Sequence, residues 1–286
     1  MVFFKYSQKT FFADLCLFGA GFLLFQSFFC SLAEGANRTK KKEKKPTVTA
    51  EAVYAVDYTN VKVLFSRNAH LKLQPASLVK LMTAIVVLEK IGLDKKVCVS
   101  AKAVNVEPTR AGLRRGVYYS VRGLLEALLA TSANDAGVAL AEAVAGDEDK
   151  FARLMNKKAK ELGAYDSNFM NATGLPDPKQ LTSAFDYSII TREAFSHPFI
   201  ASVMAKKYVV ITGSDGVVIK RRNHNKLLWR LSDPVVLGKT GYTRSARHCY
   251  AGIAYYKNRK VSIVLLKSKK PWDDICFVLG VTPGKG

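Results

Sequence analysis

Acidic residues are scarce in this chain. Its 286 residues carry 23 Asp and Glu against 44 Lys and Arg, a formal net charge of +21. Such an excess argues against a cationic partner and suits an anionic one: nucleic acid, a membrane surface, or an acidic polymer such as a cell wall. The cations are scattered, with one block at Lys40–Lys45, and no zinc-finger spacing or aromatic RNA-binding signature accompanies them. Nucleic acid is therefore the weaker reading, and no nucleic-acid partner is expected. Cysteine is sparse as well. Of five, Cys16 and Cys30 fall in an N-terminal apolar stretch, leaving Cys98, Cys249 and Cys276 with no CxxC pair. The four histidines, His70, His197, His224 and His248, are not paired at ligand spacing, so no metal and no cofactor is expected. Buried free thiols are favoured over a single disulfide. There is no internal repeat. What remains is a globular composition, 49% hydrophobic, long enough to bury a sizeable core.

The N-terminus has the order of an export signal. Lys5 and Lys9 precede the uncharged run Leu15–Phe25, and Ser31-Leu32-Ala33 offers small residues for cleavage. Asp14 and Gln26 bracket that run and leave it short of the ~20 residues a spanning helix needs. The expectation is a signal peptide over residues 1–33, with an uncleaved anchor as the alternative. A solvated basic linker follows over 34–48, and a single folded domain over 49–286. The protein would then be exported, to a bacterial periplasm or the outer face of the inner membrane, with membrane association through the N-terminus only.

Ala50–Tyr58 alternates as a strand and Val61–Phe65 answers it as a hairpin. Helical spacing of Leu78, Leu81, Met82, Ile85 and Leu88 predicts a buried helix over Ser77–Ile91. Further helices are expected over Val121–Ala130, Asp135–Ala145 and from Asp147 to Gly163, with a break at Thr131–Asn134. Asn171–Pro178 is dense in turn formers. Strands return at Tyr208–Thr212, Val217–Lys220, from Val235, His248–Tyr256 and Val261–Leu266. The order strands, helices, strands predicts an α+β fold: an antiparallel sheet closed by both chain ends and flanked by helices, with an inserted all-helical lobe.

Three short motifs stand on these elements. Ser77-Leu78-Val79-Lys80 places a hydroxyl at a helix start, where backbone N–H groups lack partners, and an amine one turn later on the same face. Burial lowers a lysine's pKa, and a neutral amine can take the serine proton. Ser132-Ala133-Asn134 lies in the interhelical break and can aim two polar groups into a cleft, one relaying a proton and one holding a substrate amide. Lys239-Thr240-Gly241 offers a cation and a hydroxyl for a carboxylate and a bare backbone for close approach. Each alone has an ordinary explanation: a buried helix with a snorkelling lysine, a helix cap, a turn. Their order and settings together are specific, and the trio is shared by class A β-lactamases and penicillin-binding proteins.

The chain resembles the low-molecular-weight penicillin-binding proteins, the serine D-alanyl-D-alanine carboxypeptidases, from about Ala50 to Leu266. The resemblance is carried by Leu73–Thr83 (LQPASLVKLMT), Ser132–Ala136 (SANDA), Thr173-Gly174-Leu175, Asn223–Leu228 (NHNKLL) and Gly238–Thr243 (GKTGYT). It implies a β-lactamase/transpeptidase-like fold and hydrolysis of the terminal D-Ala-D-Ala bond of peptidoglycan stem peptides. Ser77 would be the acylated nucleophile, Lys80 its base, and Ser132 and Asn134 would serve proton transfer and positioning. Lys239 and Thr240 would bind the carboxylate beside Gly241, and the N–H groups of Ser77 and Tyr242 would form the oxyanion hole. β-Lactam antibiotics would be inhibitors. Asp186 matches a family acid and reads as structural support.

Three departures stand out. The chain stops soon after the expected catalytic domain, where family members with a second β domain and an amphipathic C-terminal membrane helix extend much further, so neither is expected here. Ala246 is followed by Arg247 where the family continues to glycine, and the arginine usual after the last strand is not evident in Lys267–Asp274. Arg247 either supplies that missing charge or turns outward to water. Two rival functions are carried along: a β-lactamase, disfavoured because Asn171–Pro178 contains no glutamate, and a catalytically impaired domain that binds cell-wall peptide.

Overall fold

The computed structural model describes residues 47–231 and 235–282. The expected signal segment and all but the last two residues of the expected linker lie outside them. The packed chain starts earlier than the expected boundary: Val48, read as linker, is buried in an apolar cluster, and the backbone N–H of Thr49 donates to Asp274.

The domain opens on the hairpin β1 (Ala52–Asp57) and β2 (Lys62–Arg67). A 3₁₀ turn, Ala76–Leu78, leads into α1 (Val79–Lys90). The inserted lobe runs through β3 (Lys96–Cys98), α2 (Ala101–Asn105), β4 (Tyr118–Ser120), α3 (Val121–Thr131), α4 (Asn134–Ala145) and α5 (Glu148–Leu162). Helices α6 (Ala184–Ala194) and α7 (Pro198–Ala205) follow, then the ribbon β5 (Tyr208–Thr212) and β6 (Val218–Arg222), and the short α8 (Leu227–Arg230). The chain returns as β7 (Val235–Thr243), β8 (Arg247–Tyr256), β9 (Arg259–Ser268) and α9 (Pro271–Leu279).

The expected α+β architecture is present. The main sheet is antiparallel in the order β2-β1-β9-β8-β7, so the first and last segments of the chain pair at its centre. Alternation sorts its side chains. Val264 and Leu266 face the large core with the helices, while Ile263 and Leu265 face a second cluster covered by Ile275 and Leu279 of α9. Being buried on both faces, β9 reads over Val261–Leu266 (VSIVLL) as a run that is apolar except for Ser262, rather than an alternating one.

Several helix boundaries follow from local chemistry. Ser120 caps α3 by accepting from the Gly123 N–H, Asp147 caps α5 through Lys150, and Ser183 caps α6 through Asp186. Gly163 ends α5 in the left-handed region. Helix α1 is buried nearly all round, as its spacing requires. Helices α6, α7 and α9 were not read from the sequence. Helices α7 and α9 are too short for a long period to register, and the buried face of α6 includes Asp186, Ser188 and Thr191.

One buried carboxylate ties the lobe together. Asp135, only 1% exposed, accepts from the N–H groups of Ala111, Gly112 and Leu113 at 2.9–3.1 Å. Replacing it with alanine strands three donors. Asp135→Ala is expected to cost about 3–5 kcal/mol of stability, measured by denaturant unfolding, whereas a loss below about 1 kcal/mol would mean the loop re-pairs elsewhere.

Candidate active site

The three motifs, far apart in the chain, meet where the 3₁₀ turn, the α3–α4 break and strand β7 converge. Pro75 and the 3₁₀ turn place Ser77 at the mouth of α1, and Lys80 one turn later is wholly buried. Lys80 Nζ lies 2.9 Å from Ser77 Oγ, 2.7 Å from Asn134 Oδ1, and in close contact with the Thr173 carbonyl oxygen. The Asn134 amide is oriented by a second bond, from its Nδ2 to the Glu107 carbonyl at 2.7 Å. Two of the three neighbours of Nζ are therefore pure acceptors. A neutral amine has two N–H bonds for them and one lone pair, which is left facing the Ser77 hydroxyl. Desolvation and the nearby Lys239 charge both push the Lys80 pKa well below its ordinary value, against an opposing pull from Asp135.

Ser132 ends α3 in the left-handed region at φ 62°, a conformation that non-glycine residues rarely adopt, and this turns its hydroxyl toward β7. Lys239 Nζ donates to Ser132 Oγ at 3.0 Å and to the Thr240 carbonyl at 2.6 Å. Lys239 is 1% exposed, so it lies beneath the cleft floor and has one N–H left for a substrate. Burial lowers its pKa to about 7. Asn134 likewise keeps one amide N–H free of the protein. Gly241 is required by contact: a Cβ there would sit 2.9 Å from the Ser77 nitrogen and 3.2 Å from the Pro75 carbonyl. Strand β7 is thereby pressed onto the turn bearing Ser77, with the next residue, exposed Tyr242, packed against the His248 ring at 4.7 Å.

The site thus contains every residue the motifs singled out. It also contains groups that sequence reasoning gave no role. The Thr173 carbonyl completes the Lys80 cage, and Gly174 leaves room for the Ala76 carbonyl. The turn-rich Thr173-Gly174-Leu175 was visible, but a backbone oxygen leaves no mark in a side-chain pattern. Asp186 accepts from Ser167 Oγ at 2.8 Å and sits in the first turn of α6, in keeping with structural support. Arg247 is exposed and makes no hydrogen bond or ion pair among the described residues, while the Lys267 amine pairs with Glu51 at 2.8 Å. His224 is held near the cleft by its backbone N–H, which donates to the Ala130 carbonyl, and partial desolvation, then the Lys239 charge, pushes its ring pKa down to about 4.

The model of the D-alanyl-D-alanine carboxypeptidase family matches residues 39–270. The chain belongs to that family. Among the family's curated members, it is 31% identical over 251 residues to the D-alanyl-D-alanine carboxypeptidase DacF of Bacillus subtilis, covering 82% of this chain and 62% of that protein. It is 30% identical over 223 residues to DacB2 of Mycobacterium tuberculosis, covering 77% and 76%. A solved D-alanyl-D-alanine carboxypeptidase from Mycobacterium tuberculosis superposes with a TM-score of 0.77 at 26% identity, over 85% of this chain and 97% of that one. The chain spans less than two thirds of the length of several curated family members it matches, among them DacF. No helix among the described residues is long and apolar enough to cross a membrane.

Proposed function

We propose that the chain is a serine DD-carboxypeptidase that removes the terminal D-alanine from peptidoglycan stem peptides and is acylated by β-lactams. The observation that carries this is the Lys80 cage: a buried amine 2.9 Å from Ser77 Oγ whose other two neighbours, Asn134 Oδ1 and the Thr173 carbonyl, only accept, so that in its neutral form the lone pair faces Ser77. Lys80 takes the Ser77 proton as Oγ attacks the penultimate D-Ala carbonyl carbon. The oxyanion is met by the Ser77 and Tyr242 N–H groups. The C–N bond then breaks, the departing amine takes a proton through Ser132, and water hydrolyses the Ser77 ester. Thr240 and the remaining N–H of Lys239 hold the substrate carboxylate. The substrate lies outside the cytoplasmic membrane, so the reading includes export by the N-terminal segment.

The test is intact mass with penicillin over time, together with assay of D-alanine release from an acyl-D-Ala-D-Ala peptide. One penicilloyl adduct mapping to Ser77, with D-alanine released, supports the reading. An adduct that Ser77→Ala retains would sink it, and rapid nitrocefin turnover would make the chain a β-lactamase instead.

The Lys239 charge gives a pH signature. Its protonated form is the useful one, and with a pKa of about 7 the free enzyme loses that charge as pH rises through 7. kcat/KM for the carboxylate substrate is expected to fall about tenfold across the alkaline limb. A C-terminally amidated peptide or a neutral thioester should lack that fall. Equal profiles would mean that Lys239 does not read the carboxylate.

A further inference from the structure

The ribbon of β5 and β6 has an outward face that packing does not explain. Alternation splits its side chains. Val209, Ile211 and Ile219 join the large core, while Tyr208, Val210 and Val218 on the other face are 49%, 53% and 60% exposed. Residues opposite one another in an antiparallel pair share a face. The register sets Tyr208 against Arg222, Val210 against Lys220 and Thr212 against Val218. The outward face is therefore a block in which apolar side chains are interleaved with cations. The solvated face of an antiparallel pair is ordinarily polar, and a cluster of exposed apolar residues rimmed by charge marks a contact surface.

The charge on this face has one sign. Residues 206–222 (KKYVVITGSDGVVIKRR) carry a single acid, Asp215. Asp215 pairs with Arg114 and Lys206 pairs with Glu126, whereas Lys207, Lys220 and Arg222 have no acidic partner among the described residues. Aromatic rings hold these three in place. Lys220 Nζ lies 4.9 Å from the centre of the Tyr208 ring, and the Arg222 guanidinium and Lys207 Nζ lie 3.9 and 5.4 Å from that of Trp229. The ribbon is also fixed to the lobe. Arg221 turns back and donates to the Ala111 carbonyl at 2.6 Å, and the Ser214 N–H donates to the Tyr118 carbonyl at 2.9 Å. Beyond β6 the chain is tied to the cleft. The His224 N–H donates to the Ala130 carbonyl, two residues before Ser132, and Asn225 Nδ2 donates to the Val236 carbonyl at 2.8 Å, three residues before Lys239.

We propose that the outward face of this ribbon docks on an anionic lipid surface. Tyr208, Val210 and Val218 enter the headgroup layer, and Lys207, Lys220 and Arg222 meet the lipid phosphates. The mixture of side chains decides the occupant. A soluble polyanion would engage the three cations and gain nothing from burying the apolar residues between them. A lipid interface takes both, because binding there sums buried apolar area and attraction to anionic headgroups. Tyrosine, with an apolar ring and a polar tip, suits that depth. The contact is separate in sequence from the N-terminal apolar segment. Through the ties at Ala130 and Val236 it sets the cleft beside the bilayer. It does not depend on the chemistry of Ser77.

The test mixes the full chain with vesicles of phosphatidylcholine alone or phosphatidylcholine with phosphatidylglycerol, each doped with a lipid bearing a photoactivatable headgroup. Mass mapping of labelled peptides separates the ribbon, residues 207–222, from any label that the N-terminal segment takes up. Ribbon labelling is expected on the anionic vesicles, about tenfold or more above the neutral ones, and should fade with salt. Lys207→Gln/Lys220→Gln/Arg222→Gln should cut it by about tenfold or more, on a scale of about fivefold per basic side chain. Val210→Ser/Val218→Ser should also cut it severalfold, through lost apolar burial. Thermal melting shows whether each variant is folded, and the wild-type comparison of the two vesicles and its salt dependence stand where one is not. Ribbon labelling that is absent, equal on neutral and anionic vesicles, or kept in the folded charge variant overturns the proposal. So does loss in the charge variant with full retention in the valine variant, which would make the face a general polyanion surface open to soluble polyphosphate. A dimer in solution that leaves the ribbon unlabelled would make a second copy of the chain its occupant, and equally overturns the proposal. Penicillin acylation should be unchanged in both variants, so failure of this surface leaves the Ser77 reading untouched.

Discussion

Lys80→Ala is expected to slow penicillin acylation of Ser77 by about a thousandfold, within the range that a positioned general base contributes. The cage around Nζ gives the reason. Asn134 Oδ1 and the Thr173 carbonyl are acceptors only, so they occupy the two N–H bonds of a neutral amine and leave its lone pair on Ser77 Oγ at 2.9 Å. The environment favours that neutral form, first by desolvation and then by the Lys239 charge. At neutral pH an ordinary lysine would be protonated and useless as a base. Without the amine, the serine hydroxyl has no acceptor at the right distance. Wild-type acylation should also fade in acid, because protonating Lys80 consumes the lone pair. The measurement is the rate of penicilloyl-enzyme formation by mass, across pH, for wild type and variant. Acylation of Lys80→Ala within tenfold of wild type would take the base role away from Lys80.

The second large effect belongs to a glycine. Gly174 has φ +84°, and a Cβ there would overlap the Ala76 carbonyl oxygen and stand 2.8 Å from the Ser77 nitrogen. Both objects in its way are backbone, so no rotamer change relieves the clash. Ala76 is itself held at φ +50°, and the neighbouring Thr173 carbonyl is what Lys80 leans on. Gly174→Ala therefore pushes the turn bearing Ser77 away from Lys80 and the groups around it. The expected cost is about 3 kcal/mol or more, from the backbone conformation and overpacking together. Acylation of the folded fraction should fall about a hundredfold, the scale of a 1 Å misplacement at a reacting centre. Thermal melting and acylation on one preparation report both. A variant that melts and acylates like wild type would show that the turn has room to move.

The order strands, helices, strands was enough to predict an antiparallel sheet closed by both chain ends. The periodicity of Leu78, Leu81, Met82, Ile85 and Leu88 was enough for a buried helix behind Ser77. Caps at Ser120 and Asp147 and the stop at Gly163 are local chemistry, which is why those helix ends agree to within a residue or two of expectation. Helices α7 and α9 escaped because they are short, eight and nine residues, and α6 because its buried face includes Asp186, Ser188 and Thr191 and so lacks a clear apolar period. The pairing of β1 with β9 is set by burial of both sheet faces, which no local window contains.

Residue type and spacing by themselves singled out the side chains proposed to carry the chemistry: a serine and a lysine one turn apart, a serine and an asparagine in a helix break, a lysine and a threonine on a strand. Only the tertiary structure decided their surroundings. It buries Lys80 and Lys239, which is what shifts their proton affinities, because desolvation is a property of the packed surroundings and not of the residue. It brings the Thr173 carbonyl and Gly174 against the turn bearing Ser77, where a backbone atom does what no motif records. It also gathers Arg222, Lys226, Trp229 and Arg230 beside the cleft, turning part of a scattered positive charge into one pocket. Charge counts add along a chain, whereas the convergence of these charges in space is made by the loop tied between Ala130 and Val236.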